Sequence, residues 1–271
     1  HAMTNSSPDN MPMVAPFSGA SDPVTVEVIG NAIASIADEM GETLVRASYS
    51  TNIKERRDCS TVIFDAKGRT LYQAEHIPIH LGSLMGVVEE ILARHDLATL
   101  AEGDVFIGND AYTGGGTHLP DIVLASPIFH DGRLVGWATN LAHHADFVDR
   151  SHAHIFQEGL RIPPIRLQTA GVIQQDVFEL ILLNCQVPHE RRADIRAQLA
   201  ANIFGVKRFH ALCDRYGVDL LEQAFEELLN YAERRMRAGI AAIPDGNYRF
   251  EDVFECDEFP ESLTFHVEIE V

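Results

Sequence analysis

Two apolar stretches, Ile122 to Phe129 and Leu134 to Leu141, flank His130-Asp131-Gly132, and nothing else in this 271-residue chain limits its fold as closely. Each is of strand length, and the Asp-Gly step between them predicts an antiparallel hairpin. Side chains alternate between the faces of a strand, so loop length decides which residues of the two strands look the same way. A three-residue loop with Gly132 in the left-handed position pairs Phe129 with Arg133. That register sets Leu119 opposite His143 and Asp121 opposite Leu141, leaving Asp121 and His143 as diagonal neighbours on one face. A two-residue Asp-Gly turn shifts the pairing by one and separates them. The glycine position favours the longer loop.

The other elements follow from periodicity. Asp22-Pro23 starts a helix, a capping carboxylate before proline. Val26, Ile29, Ile33, Ile36, Met40 and Leu44 then form one apolar stripe at steps of three and four. Cys59 to Phe64 and Thr70 to Tyr72 flank Asp65-Ala66-Lys67-Gly68 as a second hairpin. Leu81 to His95 reads as a helix with Leu84, Val87, Val88, Ile91 and Leu92 inward, and Val105 to Ile107 as a short buried strand. From Pro188 to Gly239 charged and apolar residues alternate at helical spacing, with a break near Tyr216-Gly217. Gly246 to Phe250 and Leu263 to Val271 alternate as strands. The expected fold class is mixed α/β of the α+β kind: long helices packed on a largely antiparallel sheet, with a helical segment near 188–239.

His1-Ala2-Met3 reads as a cloning remnant, and residues 1–21 as a flexible tail without the charged and apolar order of a signal peptide. The last strand stops in mid-pattern at Val271, which would leave a sheet edge unpaired. Residues 22–271 are therefore expected to be the front part of a domain continued in a further segment or chain. Twenty-one basic residues against forty acidic ones give a net charge of −19. Such a field repels phosphate backbones and anionic lipid, so neither nucleic acid nor a membrane surface is an expected partner. Cys59, Cys185, Cys213 and Cys256 show no paired spacing, the usage of a reduced, cytoplasmic protein.

Thirteen histidines are unevenly placed: His76 with His80, His118 after three glycines, and His143, His144, His152 and His154 within twelve residues. In Asn109-Asp-Ala-Tyr-Thr-Gly114-Gly-Gly-Thr-His118-Leu-Pro-Asp121 the glycines abolish regular structure, so a loop delivers His118. Pro120 disfavours helix at Leu119 and puts Asp121 at the mouth of the next strand. With His143 across the hairpin, His118 and Asp121 make a mixed nitrogen and oxygen triad. Three protein ligands with open positions is the layout of a catalytic metal. Two imidazoles and a carboxylate suit zinc, manganese or iron alike. The other reading of these residues is a polar hairpin end that binds nothing.

Five separated segments together resemble the hydantoinase B/oxoprolinase family: Glu55 to Ser60, Gln73 to Gly82, Gly115 to Asp121, Ala142 to Asp146 and Gln157 to Pro164. They occur in family order from about Asp22 to the end of the chain. The resemblance implies a subunit of an ATP-dependent hydantoinase, 5-oxoprolinase or lactamase, or of an acetone or acetophenone carboxylase. It implies a hydantoinase A-like partner in a hetero-oligomer, which binds ATP and phosphorylates the substrate's carbonyl oxygen. The B-type subunit then carries a divalent metal, at which the activated intermediate is hydrolysed or carboxylated. The family's ligands align with His118, Asp121 and His143. Ala111, the third glycine before Thr117 and Phe147-Val148-Asp149 depart from the usual pattern and leave substrate identity open.

Further candidates surround the triad. His144 and Asp146 stand ready to orient water or move protons, though alternation turns His144 away from the ion. His80, ahead of a helix, is placed to contact substrate. Glu158 lies in a rigid loop before Pro163-Pro164, where Arg161 suits an anionic intermediate. Asp58, after Arg56-Arg57, reads as an internal salt-bridge partner, and Cys59 as core. No phosphate-binding loop is present, so ATP is expected on another chain. Three functions stay open: a cyclic-amide hydrolase subunit, a ketone carboxylase subunit, and a non-catalytic assembly scaffold.

Overall fold

The computed structural model describes residues 22–75, 77–113, 115–145, 154–255 and 261–271. Helix α1 (Pro23–Ala47) opens as its sequence requires, with the Asp22 carboxylate accepting from Thr25 N at 3.0 Å. Its whole predicted stripe, from Val26 to Leu44, is buried. A short turn of helix, α2 (Thr51–Lys54), leads into β1 (Cys59–Asp65) and β2 (Thr70–Glu75), which pair as the second hairpin.

Helix α3 covers only Val87–Arg94, not the stretch from Leu81. Gly82 and Gly86 take φ of +77° and +85°, conformations that end any helix, and Leu84 reaches the core from a turn. Strands β3 (Val105–Gly108), β4 (Asp121–His130), β5 (Arg133–His143), β6 (Ile165–Thr169) and β7 (Val172–Ile173) follow, then helices α4 (Gln175–Leu183), α5 (Pro188–Tyr216) and α6 (Val218–Ala241). Gly217 makes the predicted break between the last two. The class is mixed α/β as expected. The large sheet has the order β2-β1-β5-β4-β3-β6-β7, antiparallel throughout. Among the described residues no helix is long and apolar enough to cross a membrane.

Apolar clusters fill both faces. Ile63, Ile128 and Ala138 pack against α1, α5 and α6 on one side. Val62, Phe64, Val123 and Trp137 pack against Val87, Val88 and Ile91 of α3 on the other. Helix α5 departs from a purely apolar contact. Its Gln198 and Asn202, both fully buried, bond the β4 carbonyls of Ile122 and Leu124 and the side chain of Asn140. Strands β8 (Asn247–Phe254) and β9 (Leu263–Glu270) pair only with each other, in a separate two-stranded sheet.

The central hairpin corrects the expected loop. Asp131 and Gly132 take φ of +50° and +77°, a two-residue turn with His130 opposite Arg133 and Phe129 opposite Leu134. Left there, the register would turn Asp121 and His143 to opposite faces. Between Phe129 and Ile128 it slips by one, because Val135 enters β5 as an extra residue opposite neither. Beyond this bulge Asp121 stands directly across from His143, not across from Leu141. The two therefore share a face, by a route different from the three-residue loop.

Candidate metal centre

Asp121 and His143 meet at the open ends of β4 and β5, and the glycine loop folds His118 over them. Gly116 takes φ +80°, and a Cβ there would lie 2.9 Å from Asp121 Cβ and 3.0 Å from its carbonyl oxygen. Only glycine lets the loop lie this close. Thr117, next in the chain, donates to Asp121 Oδ2 through its main-chain nitrogen at 2.9 Å and its hydroxyl at 2.7 Å. The other oxygen, Oδ1, is left for the site. It lies 3.3 Å from His143 Nδ1 and 3.6 Å from His118 Nε2, while the two nitrogens are 3.0 Å apart. Bonds of about 2.0–2.2 Å to one tetrahedral centre place neighbouring ligand atoms about 3.3–3.6 Å apart. The two oxygen–nitrogen separations are of that size, and the nitrogen pair lies somewhat closer.

The carboxylate of the group is ionised, while a cation would have to displace a proton from His118. Burial raises the Asp121 carboxyl, but bonds from His118, His143 and Thr117 outweigh it and hold the group well below the usual carboxylate range. His118 is raised, first by its contact with Asp121 and then by the charges of Asp121 and Glu158. Glu158 binds the loop twice, accepting from Leu119 N at 2.9 Å and facing His118 Nδ1 at 3.3 Å. When a cation takes the place of the proton that Nε2 gives Asp121, a proton on Nδ1 shared with Glu158 leaves the Nε2 lone pair turned into the site, the usual support of a ligating histidine. Carboxylate oxygen and imidazole nitrogens thus converge on one point, a donor set that fits a divalent ion. Among the described residues, His118, Asp121 and His143 are the group of such side chains whose ligand atoms lie within 4.8 Å of one another.

The remaining predicted residues separate. His144 points to the helical face and is wholly buried. Gln198 Nε2 is spent on Ile122 and Asn140, so Gln198 Oε1 must accept from His144 Nε2, at 2.9 Å. Burial and then the Arg191 charge hold His144 down at about 4. Arg161 is engaged with Asp110 at 2.9 Å and lies over the Phe156 ring at 4.9 Å. His80 is 2% exposed and faces Ser60 and Asp58. Asp146, like His76 and His152, lies outside the described residues.

Sequence reasoning passed over Thr117 and Asn109. Asn109, fully buried, joins the glycine loop to the Glu158 loop by donating to Leu119 O and Leu160 O at 2.8 and 2.9 Å. Its signal was the Asn-Asp step after a buried strand. Asp58, expected as an internal salt-bridge partner, faces His80 Nε2 at 3.5 Å, while Arg57 pairs with Glu42.

Comparison with known proteins finds relatives over most of the chain. The caprolactamase subunit beta of Pseudomonas jessenii is 35% identical over 242 residues, covering 86% of this chain and 41% of that one. The crystal structure of the ATP-dependent caprolactamase from the same organism superposes with a TM-score of 0.81 at 33% identity, covering 93% of this chain and 45% of that one. A 5-oxoprolinase of Dictyostelium discoideum is 30% identical over 227 residues, 80% of this chain and 18% of its own length. The chain thus spans about two fifths of the first relative and under a fifth of the last. The hydantoinase B/oxoprolinase family profile matches residues 22–271, and the chain belongs to that family.

Proposed function

We propose that this chain is the metal-bearing part of a B-type subunit that hydrolyses a cyclic amide in the cytoplasm, after a hydantoinase A-like partner has used ATP to phosphorylate the amide's carbonyl oxygen. The observation that carries the reading is the convergence of His118 Nε2, Asp121 Oδ1 and His143 Nδ1 on one point. A divalent zinc, manganese or iron ion held there supplies a Lewis acid and brings the pKa of water towards neutrality. Support for a cyclic amide comes from the relatives, whose names are caprolactamase and 5-oxoprolinase. Residues 22–271 are then the front part of such a subunit, which agrees with the share of each relative that they span.

This chain's own residues take the following roles. Asp121 and the two histidines hold the ion. Glu158 fixes the tautomer of His118. Arg161 keeps N–H groups beyond the one given to Asp110, and these suit the anionic phosphorylated substrate. His144 positions the end of β5 from the helical face through Gln198. Asp146, three residues beyond His143, is assigned proton transfer. His80 acts from behind the site.

The test is ATP hydrolysis by the subunit together with its partner. A lactam or hydantoin should stimulate it without bicarbonate. Stimulation only by a ketone with bicarbonate would contradict the proposal in favour of a carboxylase, and a purified complex free of metal would favour a scaffold.

A further inference from the structure

The β1–β5 ladder pairs Cys59 with Ala142 and Ser60 with Leu141. One step further, Asp58 stands across from His143, and His143 N donates to Asp58 O at 2.9 Å. On its other side His143 faces Asp121. Asp58, just ahead of β1, therefore extends the His143–Asp121 cross-strand pair into a row, neighbours in such a row having Cβ atoms about 4.5–5.5 Å apart. The ligand histidine has a carboxylate on either side of it.

His80 governs the outer one. Its ring is buried, with Nδ1 3.0 Å from the wholly buried Ser60 Oγ and Nε2 3.5 Å from Asp58 Oδ1. A hydroxyl proton given to Nδ1 leaves the ring proton on Nε2, facing the carboxylate. The turn carrying the ring is fixed in its own right, since His80 O accepts from Gln73 Nε2 at 2.8 Å and Ser83 Oγ at 2.9 Å. A polar ring in this position costs desolvation that an apolar side chain would avoid, so its polarity needs a reason beyond packing. Its nitrogens look at Ser60 of β1 and at Asp58 just ahead of that strand, on the face where the triad lies.

We propose that Asp58 and His80 form a brace that positions His143, and hence the third ligand of the ion, an inference that rests on the metal reading above. His80 holds the Asp58 side chain, and the Asp58 carbonyl holds the main chain of His143. Neither residue touches the ion or the substrate; both are positioning residues. Loss of partners one step removed from a ligand weakens metal binding by about 10- to 100-fold.

Two substitutions of His80 separate this brace from simple core filling. In His80→Gln the terminal amide reaches the place of Nε2 and can still face Asp58; in His80→Asn it reaches only the place of Nδ1, towards Ser60. The experiment titrates the chain with Co²⁺ and follows visible absorption, with circular dichroism recorded on each variant. The native chain should bind one ion. His80→Asn and Asp58→Ala should bind about 10- to 100-fold more weakly with shifted ligand-field bands, while His80→Gln stays near native. If His80→Asn loses native circular dichroism, Asp58→Ala decides, because that side chain is 26% exposed and its removal opens no sealed cavity. Native affinity and spectrum in a folded His80→Asn or in Asp58→Ala would overturn the brace, as would a His80→Gln as weak as His80→Asn. A native chain that takes up no Co²⁺ would overturn the metal reading itself, and the brace with it.

Discussion

Replacing Gly116 by alanine tests why three glycines precede His118. The residue sits at φ +80°, where an L-side chain costs about 1–2 kcal/mol. The added Cβ would also lie 2.9 Å from Asp121 Cβ and 3.0 Å from its main-chain oxygen. Neither atom can rotate aside, so the loop must shift by a few tenths of an ångström, an overpacking cost of about 1–3 kcal/mol. The smallest combination, about 2 kcal/mol, lowers the melting temperature by about 4–8 °C in a chain near this size. The shift also carries Thr117 away from Asp121 Oδ2, so Co²⁺ binding should weaken. Gly132→Ala is the matched control: its φ is +77°, but nothing lies within 4 Å of the new Cβ, and the turn is at the far end of β4. It should show the backbone strain alone and native Co²⁺ affinity. Equal melting shifts in the two variants, with unchanged metal binding in Gly116→Ala, would refute the close-packing argument.

Two other outcomes follow from buried groups. Gln198→Leu keeps the volume but strips partners from His144 Nε2, Asn140 Oδ1 and Ile122 O. At about 1–3 kcal/mol for each stranded polar group, chemical denaturation should show a loss of about 3 kcal/mol or more; a loss under 1 kcal/mol would mean that the network is dispensable. Cys59 is buried and its thiol pushed up to about 12 by that burial. Mass spectrometry after thiol alkylation of the native chain at pH 8 should find it unmodified, and rapid labelling would place it at a surface.

How much could be read beforehand depended on where the information lay. The α1 stripe was plain because its apolar positions recur without interruption from Val26 to Leu44. The triad was legible because its argument needed only that Asp121 and His143 share a face. The turn itself was misjudged: aspartate tolerates the positive φ that Asp131 adopts, so glycine was not needed at both turn positions. The bulge that restores the shared face is carried by Val135, an apolar residue indistinguishable in the sequence from its paired neighbours. Leu81 to Gly86 matched a helical stripe while Gly82 and Gly86 forbade the helix, and the stripe was given too much weight. The burial of Gln198 and Asn202 on α5 was not legible, because nothing local says that β4 and Asn140 await them.

The measurement closest to the central claim is metal content per chain, by elemental analysis after equilibration with Zn²⁺, Mn²⁺ or Fe²⁺ and removal of free ion, on the native protein and on Asp121→Asn. In the variant the amide oxygen can still accept from Thr117, which leaves an N–H pointing at the two imidazoles and no charge to hold a cation. The native chain should retain one ion and Asp121→Asn essentially none, with the same circular dichroism. A native chain without metal, or a folded Asp121→Asn with its full complement, would contradict the assignment of His118, Asp121 and His143 as the metal centre.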